Sequence, residues 1–306
     1  MSEFQLYKKR DFSAYIGDTM QFFKQFWKNY FQNYVVINGV LLLVVMSLYY
    51  LIFKDLFSNM YDPNALKTWM TYNNNAVSSG LLIMVFMVIA IIFSIFTTAF
   101  PMVYFKLLNT TGRDTFTASE MLNGIKVYAG RMILFGIISF FVLVPIVFIF
   151  FALGIALSFL IIGIPILFLG LPTFLIWSMQ SLYVYLEEET GYFQALSKGW
   201  KITFQKYWHL VGATIVVYLC ITILAIIFIM IPGFMMMGSI ITSGGAPKPP
   251  TMTPVMMAFY LIGMIVTFIG YNLIYVQQGL IYYSAQENTE HHQAYSDIDN
   301  IGKDEE

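Results

Sequence analysis

Residues 132–186 form an unbroken run of 55 residues without Asp, Glu, Lys or Arg, and residues 207–247 form a second such run. A soluble fold has no means of burying apolar stretches of this length. A bilayer does, because about 20 apolar residues cross it as one helix, so the first run holds two crossings and a short turn. Only 11% of the residues are charged, against roughly 25% in soluble domains. The chain is therefore predicted to be an integral membrane protein.

Six transmembrane helices are predicted, and they pair into three hairpins. Their approximate ranges are residues 33–53, 79–105, 131–151, 163–185, 207–231 and 254–282. The turn of the middle hairpin, within residues 154–165, contains no charge. Lipid offers no hydrogen-bond partners to non-helical backbone, so we expect this turn to be buried against protein or to reach the interface. The prediction is one all-α membrane domain over residues 1–290, followed by a disordered acidic tail at 291–306.

The basic residues indicate the orientation. Thirteen of the 16 Lys and Arg residues lie on the side of the two termini, and Lys54, Lys67 and Lys248 lie on the other side. Such a bias in short loops predicts that both termini are cytoplasmic. The first 30 residues lack the leading apolar core of a cleavable signal peptide, so the first span is expected to act as an uncleaved anchor.

A threefold repeat is visible ahead of spans one, three and five, where amphipathic segments recur with helical spacing. Each contains an apolar residue, a lysine and, five residues later, a polar or basic residue; these positions are Phe23, Lys24 and Asn29; Ile125, Lys126 and Arg131; Trp200, Lys201 and Lys206. Spans two, four and six each end with a Tyr followed seven residues later by a Thr: Tyr104 and Thr111, Tyr183 and Thr190, Tyr282 and Thr289. We predict three units of interfacial helix plus transmembrane hairpin, at about 11–112, 113–191 and 192–290. The segment from Thr117 to Glu120 has the pattern of a capping box.

Two interpretations of the repeated Lys and Tyr residues stay open. They are typical of interface anchors, which hold helix ends at the bilayer surface. Alternatively, three basic helices surround a cytoplasmic surface that contacts anionic lipids or a partner protein, since each lysine near an anionic leaflet contributes ~1 kcal/mol. The candidate contact residues are Lys24, Lys126, Arg131, Lys201, Lys206, Glu187, Glu188 and Glu189. The three glutamates are also explained by pairing with Lys198, Lys201 and Lys206 at the end of span four.

Residues 113–230 resemble a known family. Glu188-Glu189-Thr190-Gly191-Tyr192-Phe193-Gln194-Ala195-Leu196-Ser197-Lys198-Gly199-Trp200-Lys201, continuing to Phe204, Lys206, Trp208 and Gly212, is similar to the membrane domain of the glycerophosphodiester phosphodiesterase family and related bacterial multi-pass proteins. In that family an acidic residue after a span precedes an Ala-Leu-x-Lys/Arg-x-Trp helix. The resemblance implies a bacterial cytoplasmic (inner) membrane protein. It does not imply catalysis, because hydrolysis in that family belongs to a separate soluble domain.

The sequence predicts no catalytic residue, metal site or cofactor, since no known nucleotide-binding, metal-binding or hydrolase motif is present. The spans carry no ionisable side chains of the kind that ion-coupled transporters use. The leading hypothesis is a non-enzymatic scaffold or accessory to other envelope proteins, with lipids and other membrane proteins, but not nucleic acid, as partners. The alternative is a transporter of lipid or a small uncharged solute through a polar cavity at Gln180, Gln277 and Gln278; a membrane enzyme ranks third.

Overall fold

The computed structural model describes residues 4–59, 76–242 and 253–290. Within these ranges seven helices follow one another: α1 (Phe12–Asn59), α2 (Ala76–Thr111), α3 (Ala118–Ser158), α4 (Gly163–Glu187), α5 (Tyr192–Gln205), α6 (Tyr207–Thr242) and α7 (Pro254–Glu290). All but α5 are long and apolar enough to cross a membrane. The predicted all-α multi-pass fold is confirmed. The predicted disordered tail, residues 291–306, lies outside the described residues.

The amphipathic segments join their spans in two different ways. We expected three separate interfacial helices, but the first two are the N-terminal turns of the long helices α1 and α3. Only the third, α5, is separate, because the backbone leaves the helical conformation at Lys206 (φ −135°, ψ 49°). In α1 no Gly or Pro separates the amphipathic segment from the apolar one, so nothing interrupts the backbone hydrogen bonds.

Side-chain caps fix where α1 and α3 begin. The Thr117 side chain accepts the Glu120 N–H at 3.3 Å, and the Glu120 carboxylate accepts the Thr117 N–H at 2.8 Å, which confirms the predicted capping box. At the start of α1, the Asp11 carboxylate accepts the Ala14 N–H at 2.8 Å. The caps satisfy backbone donors that have no partner within the helix.

The described chain divides into two compact units. The first unit contains residues 4–33, 98–218 and 272–290, and the second contains residues 34–59, 76–97, 219–242 and 253–271. In the second unit, Phe93 of α2 and Phe268 of α7 pack edge to face at 4.8 Å. A Cβ on Gly270 would lie 2.7 Å from the Ile221 side chain, so α6 and α7 approach closely there.

The first unit has a threefold arrangement. Its inner layer consists of the ends of α2, α4 and α7, where nearly every side chain of residues 99–105, 176–186 and 274–285 is buried. Three outer segments surround these ends: residues 12–33 of α1, residues 118–131 of α3, and α5. We call these parts the inner ends and the outer segments. The order of the predicted repeats is therefore preserved in space.

Each outer segment contacts two inner ends. The first packs Phe22 against Phe105 of α2 at 5.2 Å between ring centroids, and its Tyr15 hydroxyl donates to Ser284 of α7. The second contacts α2, where Gly124 meets Val103, and α4, where Tyr128 donates to Glu187. The third places Gly199 against Ser181 of α4, and its Ile202 lines a cleft together with Ile281 of α7. Each outer segment thus covers one seam of the inner layer.

The three inner ends meet at Gly279 of α7. A Cβ at this position would lie 2.7 Å from both a ring carbon of Phe105 in α2 and the hydroxyl of Tyr183 in α4. Only a residue without a side chain permits so close an approach of three helices. Gly279 therefore marks the centre of the inner layer.

Candidate functional site

Three exposed lysines occupy equivalent positions on the outer segments. Lys24, Lys126 and Lys201 are all solvent-exposed. Within the part of the chain that the structure describes, none of them takes part in an ion pair or hydrogen bond. Their ammonium groups are available to an external anion, and we refer to them as the lysine triplet.

The residues five positions further on point into the fold. The Asn29 amide donates to the Phe116 carbonyl at 2.9 Å and accepts the Phe116 N–H at 3.0 Å. The Arg131 guanidinium donates to the Tyr185 carbonyl at 2.6 Å. The Lys206 ammonium donates to the Arg10 carbonyl at 3.1 Å. Arg131 and Lys206, two predicted contact residues, are thus bonded to the backbone of the first unit.

Two of these bonds, those of Asn29 and Lys206, end on residues just before a helix that carries another outer segment, whereas the Arg131 bond ends on Tyr185 within α4. Phe116 stands two residues before α3 begins, and Arg10 stands two residues before α1 begins. Residues 4–11, the N-terminal segment, therefore lie next to the third outer segment. The loop before α3 lies next to the first outer segment in the corresponding way. The N-terminal segment thus completes the threefold arrangement where the third repeat, ending with α7, meets the first, beginning with α1.

Arg10 holds this N-terminal segment in place. Its side chain is fully buried, and its Nε donates to Asp18 at 2.9 Å. Its remaining donors reach the backbone carbonyls of Gln5, Leu6, Lys8 and Leu280. Burial lowers the pKa of the Arg10 guanidinium, and the Asp18 carboxylate opposes that shift. A guanidinium keeps its charge in proteins, so the pair remains ionic.

The repeated tyrosines are not interface anchors. Tyr104, Tyr183 and Tyr282 are at most 1% exposed, because Tyr183 and Tyr282 lie between inner ends and Tyr104 packs against Tyr30 and Phe116. Tyr183 and Tyr282 stack with ring centroids 5.1 Å apart. The anchor interpretation is therefore wrong for the tyrosines, since an anchor must have a water-facing end. The partner threonines Thr111, Thr190 and Thr289 donate to carbonyls near the ends of the preceding helices.

The glutamates at the end of α4 connect several elements. Glu187 accepts the hydroxyl of Tyr128, and Glu188 accepts the Lys198 ammonium at 2.7 Å and the Tyr282 hydroxyl at 3.3 Å. The expected pairing of these acids with lysines is thus present at Lys198. Only Glu189 is largely exposed, at 82% of its side chain. Its carboxylate lies 3.7 Å from the Arg131 guanidinium.

Two of the three predicted cavity residues join helices. Gln180, Gln277 and Gln278 are all fully buried. The Gln180 amide donates to the carbonyl of Gln278 at 3.0 Å, and the Gln278 amide donates to Thr214 of α6 at 3.4 Å. Amides commonly link transmembrane helices in this way. The Gln277 amide, Oε1 of Gln180 and the Tyr183 hydroxyl have no hydrogen-bond partner among the described residues.

Exposed aromatic rings accompany two lysines of the triplet. Trp27 lies one turn beyond Lys24 and is 59% exposed. Trp200 and Phe204 flank Lys201, with exposures of 46% and 43% and ring centroids 4.2 Å apart. Aromatic rings beside lysines are typical of the headgroup level of a bilayer, where the ring contacts acyl chains and the ammonium contacts phosphate. Sequence spacing identified these lysines, whereas the inward direction of Arg131 and Lys206 required the structure.

In the described ranges no three His, Cys, Asp or Glu side chains are grouped as a metal ion would require. No family model matches the chain, and neither a curated protein nor a solved structure matches it.

Proposed function

We propose that this multi-pass membrane protein is a non-enzymatic scaffold of a bacterial cytoplasmic membrane, an accessory to other envelope proteins. Its lysine triplet binds the phosphate groups of anionic phospholipids in the cytoplasmic leaflet, and both termini lie in the cytoplasm. The observation that carries the proposal is that Lys24, Lys126 and Lys201 are exposed and unpaired at equivalent positions. The relationship of residues 113–230 to the membrane domains of glycerophosphodiester phosphodiesterases is part of the same proposal.

The charge distribution of the first unit supports the binding of an external anion by the lysine triplet. Arg10, Arg131 and Lys206 are bonded internally, so their positive charges contribute to the fold. The lysine triplet has no such structural use among the described residues. At ~1 kcal/mol for each lysine near an anionic leaflet, the three together supply ~3 kcal/mol, or about a hundredfold preference.

The hydrogen bonds of Glu187 and Glu188 also favour a scaffold over a catalyst. Glu187 and Glu188 accept hydrogen bonds from Tyr128, Lys198 and Tyr282. An acid or base must be able to reach a substrate, whereas these carboxylates hold helices together. Glu189 and the lysine triplet are among the exposed charges that a partner protein can contact.

The test compares lipid selectivity in reconstituted membranes. A variant with Lys24, Lys126 and Lys201 changed to Gln is compared with one in which Lys54, Lys67 and Lys248 are changed to Gln. Both lose three positive charges, but only the first loses the lysine triplet. Spin-labelled phosphatidylglycerol and phosphatidylcholine report the relative association constants. We expect the preference for phosphatidylglycerol to disappear in the first variant and to persist in the second; equal selectivity in both would refute the proposal.

Orientation and partner binding are tested separately. A reporter fused after Glu306 is expected to indicate a cytoplasmic C-terminus, and an external signal would overturn the orientation. For partners, a photo-cross-linking residue is introduced at Gln25. We expect it to cross-link one partner protein reproducibly when the rest of the chain is wild type, and not to cross-link that protein in the lysine-triplet variant. Cross-linking that is unchanged in that variant would exclude the triplet as the partner-binding surface.

A transporter is the second candidate. The observation in its favour is the buried Gln277 amide, which has no hydrogen-bond partner among the described residues. An unpaired buried amide is costly, so a polar solute or water bound beside it would stabilise it. Protein-dependent movement of a lipid or small solute across liposomes, abolished by Gln277→Leu, would support this candidate. No movement across a broad panel of solutes and lipids would exclude it.

A further inference from the structure

The turn between α3 and α4 is entirely apolar and exposed. Phe159, Leu160, Ile161 and Ile162 form it, and Phe159 is 90% exposed. The other two hairpin connections differ in sequence. Residues 60–75 contain Asp62, Lys67 and three consecutive Asn residues, and residues 243–252 contain Lys248. Only the middle hairpin has a connection without any polar side chain.

Three of the four backbone N–H groups of this turn donate to carbonyls of the same hairpin. The N–H groups of Phe159 and Leu160 donate to the Leu157 carbonyl, and that of Ile161 donates to the Ser158 carbonyl. The Ser158 hydroxyl donates back to Gly154 at 2.8 Å. A turn in water needs none of these internal partners, whereas a turn in hydrocarbon has no others.

The two arms of the hairpin approach at backbone distance near the turn. A Cβ on Gly163 at the start of α4 would overlap the carbonyl oxygen of Gly154 and lie 2.7 Å from the Leu157 carbonyl carbon. Gly163 is therefore required for the close approach. The turn is narrow, and its four apolar residues are exposed.

The length of α4 limits how far the turn reaches. The whole helix has 25 residues, or about 37 Å at 1.5 Å per residue, while a bilayer with its headgroups is about 40–45 Å thick. The C-terminal part of α4 lies beside α5, because the Trp177 indole donates to the Leu196 carbonyl and Ser181 contacts Gly199. Since α5 carries the exposed Lys201, this part lies at headgroup level.

Residues 163–177 of α4 therefore remain for the hydrocarbon. They extend about 22 Å, which is less than the ~30 Å thickness of the hydrocarbon layer. We propose that the α3–α4 turn ends among the acyl chains of the leaflet opposite the lysine triplet and that residues 159–162 bind those chains. The middle hairpin thus enters both leaflets without reaching water on the far side.

Electron paramagnetic resonance of single nitroxide labels tests this proposal. Cys220, the one cysteine of the sequence, is changed to Ser, and labels are attached at F159C, F148C and N74C in separate variants reconstituted in phospholipid vesicles. Phe148 is a matched control, since it is an exposed Phe within α3. Asn74 lies in a polar hairpin connection. Collision rates are measured with oxygen, which concentrates in acyl chains, and with a water-soluble nickel chelate.

We expect the label at position 159 to resemble that at 148, with at least fivefold more oxygen than nickel collisions relative to position 74. Nickel collisions at 159 as frequent as at 74 would show that the turn is in water and overturn the proposal. Low collision rates with both reagents would show that protein covers the turn and would overturn it equally. A label at I162C serves as the second site if F159C does not fold.

Discussion

The ammonium of Lys206 donates a hydrogen bond to the carbonyl of Arg10 at 3.1 Å, across 196 positions of the sequence. This bond connects the break between α5 and α6 to the segment that precedes α1. The bond from Asn29 to the Phe116 carbonyl is its counterpart in the first outer segment, because Phe116 precedes α3 by two residues as Arg10 precedes α1.

Replacing Lys206 by Met should destabilise the first unit. The change removes a charge-assisted hydrogen bond, which contributes ~1.5–3 kcal/mol. We expect a lower midpoint of thermal unfolding in mild detergent. Lys201→Met is the matched control, since Lys201 has no bonded partner in the described part of the chain; an equal loss in both variants would contradict the assigned role of Lys206.

Replacing Gly279 by Ala should also be destabilising, by ~1–3 kcal/mol, because the new methyl group overlaps Phe105 and Tyr183. Gly136→Ala in α3 is the control, since a Cβ there meets nothing within 4 Å and Ala favours a helix. Unfolding in mixed detergent measures both changes. A Gly279→Ala protein as stable as Gly136→Ala would show that the inner ends do not meet as described.

The Arg10–Asp18 pair should behave as a coupled unit. Arg10→Met alone removes the buried partner of Asp18 and is expected to cost about 3 kcal/mol, the lower end for a broken buried ion pair, because the Lys8 ammonium still lies 3.2 Å from the Asp18 carboxylate. The double variant Arg10→Met, Asp18→Leu should lose less than the sum of the single changes, because both single changes remove the same Arg10–Asp18 interaction. A double-mutant cycle of unfolding free energies measures the coupling. Strict additivity would mean that the pair is not formed.

The cap of α1 should make stability depend on pH. The hydrogen bond from the Ala14 N–H lowers the pKa of Asp11. A lowered folded-state pKa stabilises the fold above the unfolded value of about 3.9, and this stabilisation is lost as the pH falls through the folded-state pKa. Asp11→Ala should therefore lower the unfolding midpoint at pH 7 and have a smaller effect near pH 3. An equal effect at both pH values would contradict the assigned cap.

Periodicity and charge in the sequence predicted the helices, the hairpins and the equivalence of Lys24, Lys126 and Lys201, because these depend on local spacing. The direction of side chains was not predictable. Tyr104 and Arg131 have the chemistry of interface residues, and only the packing of neighbouring helices shows that they point inward. The break at Lys206 has no Gly or Pro to mark it, and nothing in the structure explains it.

The chain itself connects the first repeat to the second and the second to the third, through the loops that lead into α3 and α5. The third repeat, which ends with α7, is connected to the first, which begins with α1, by the bonds of Arg10, Asp18, Ser284 and Lys206. The arrangement of the repeats in space therefore does not depend on which repeat comes first in the chain. A circularly permuted protein, joined from residue 290 to residue 4 and opened in the loop at 112–117, should retain the same inner layer.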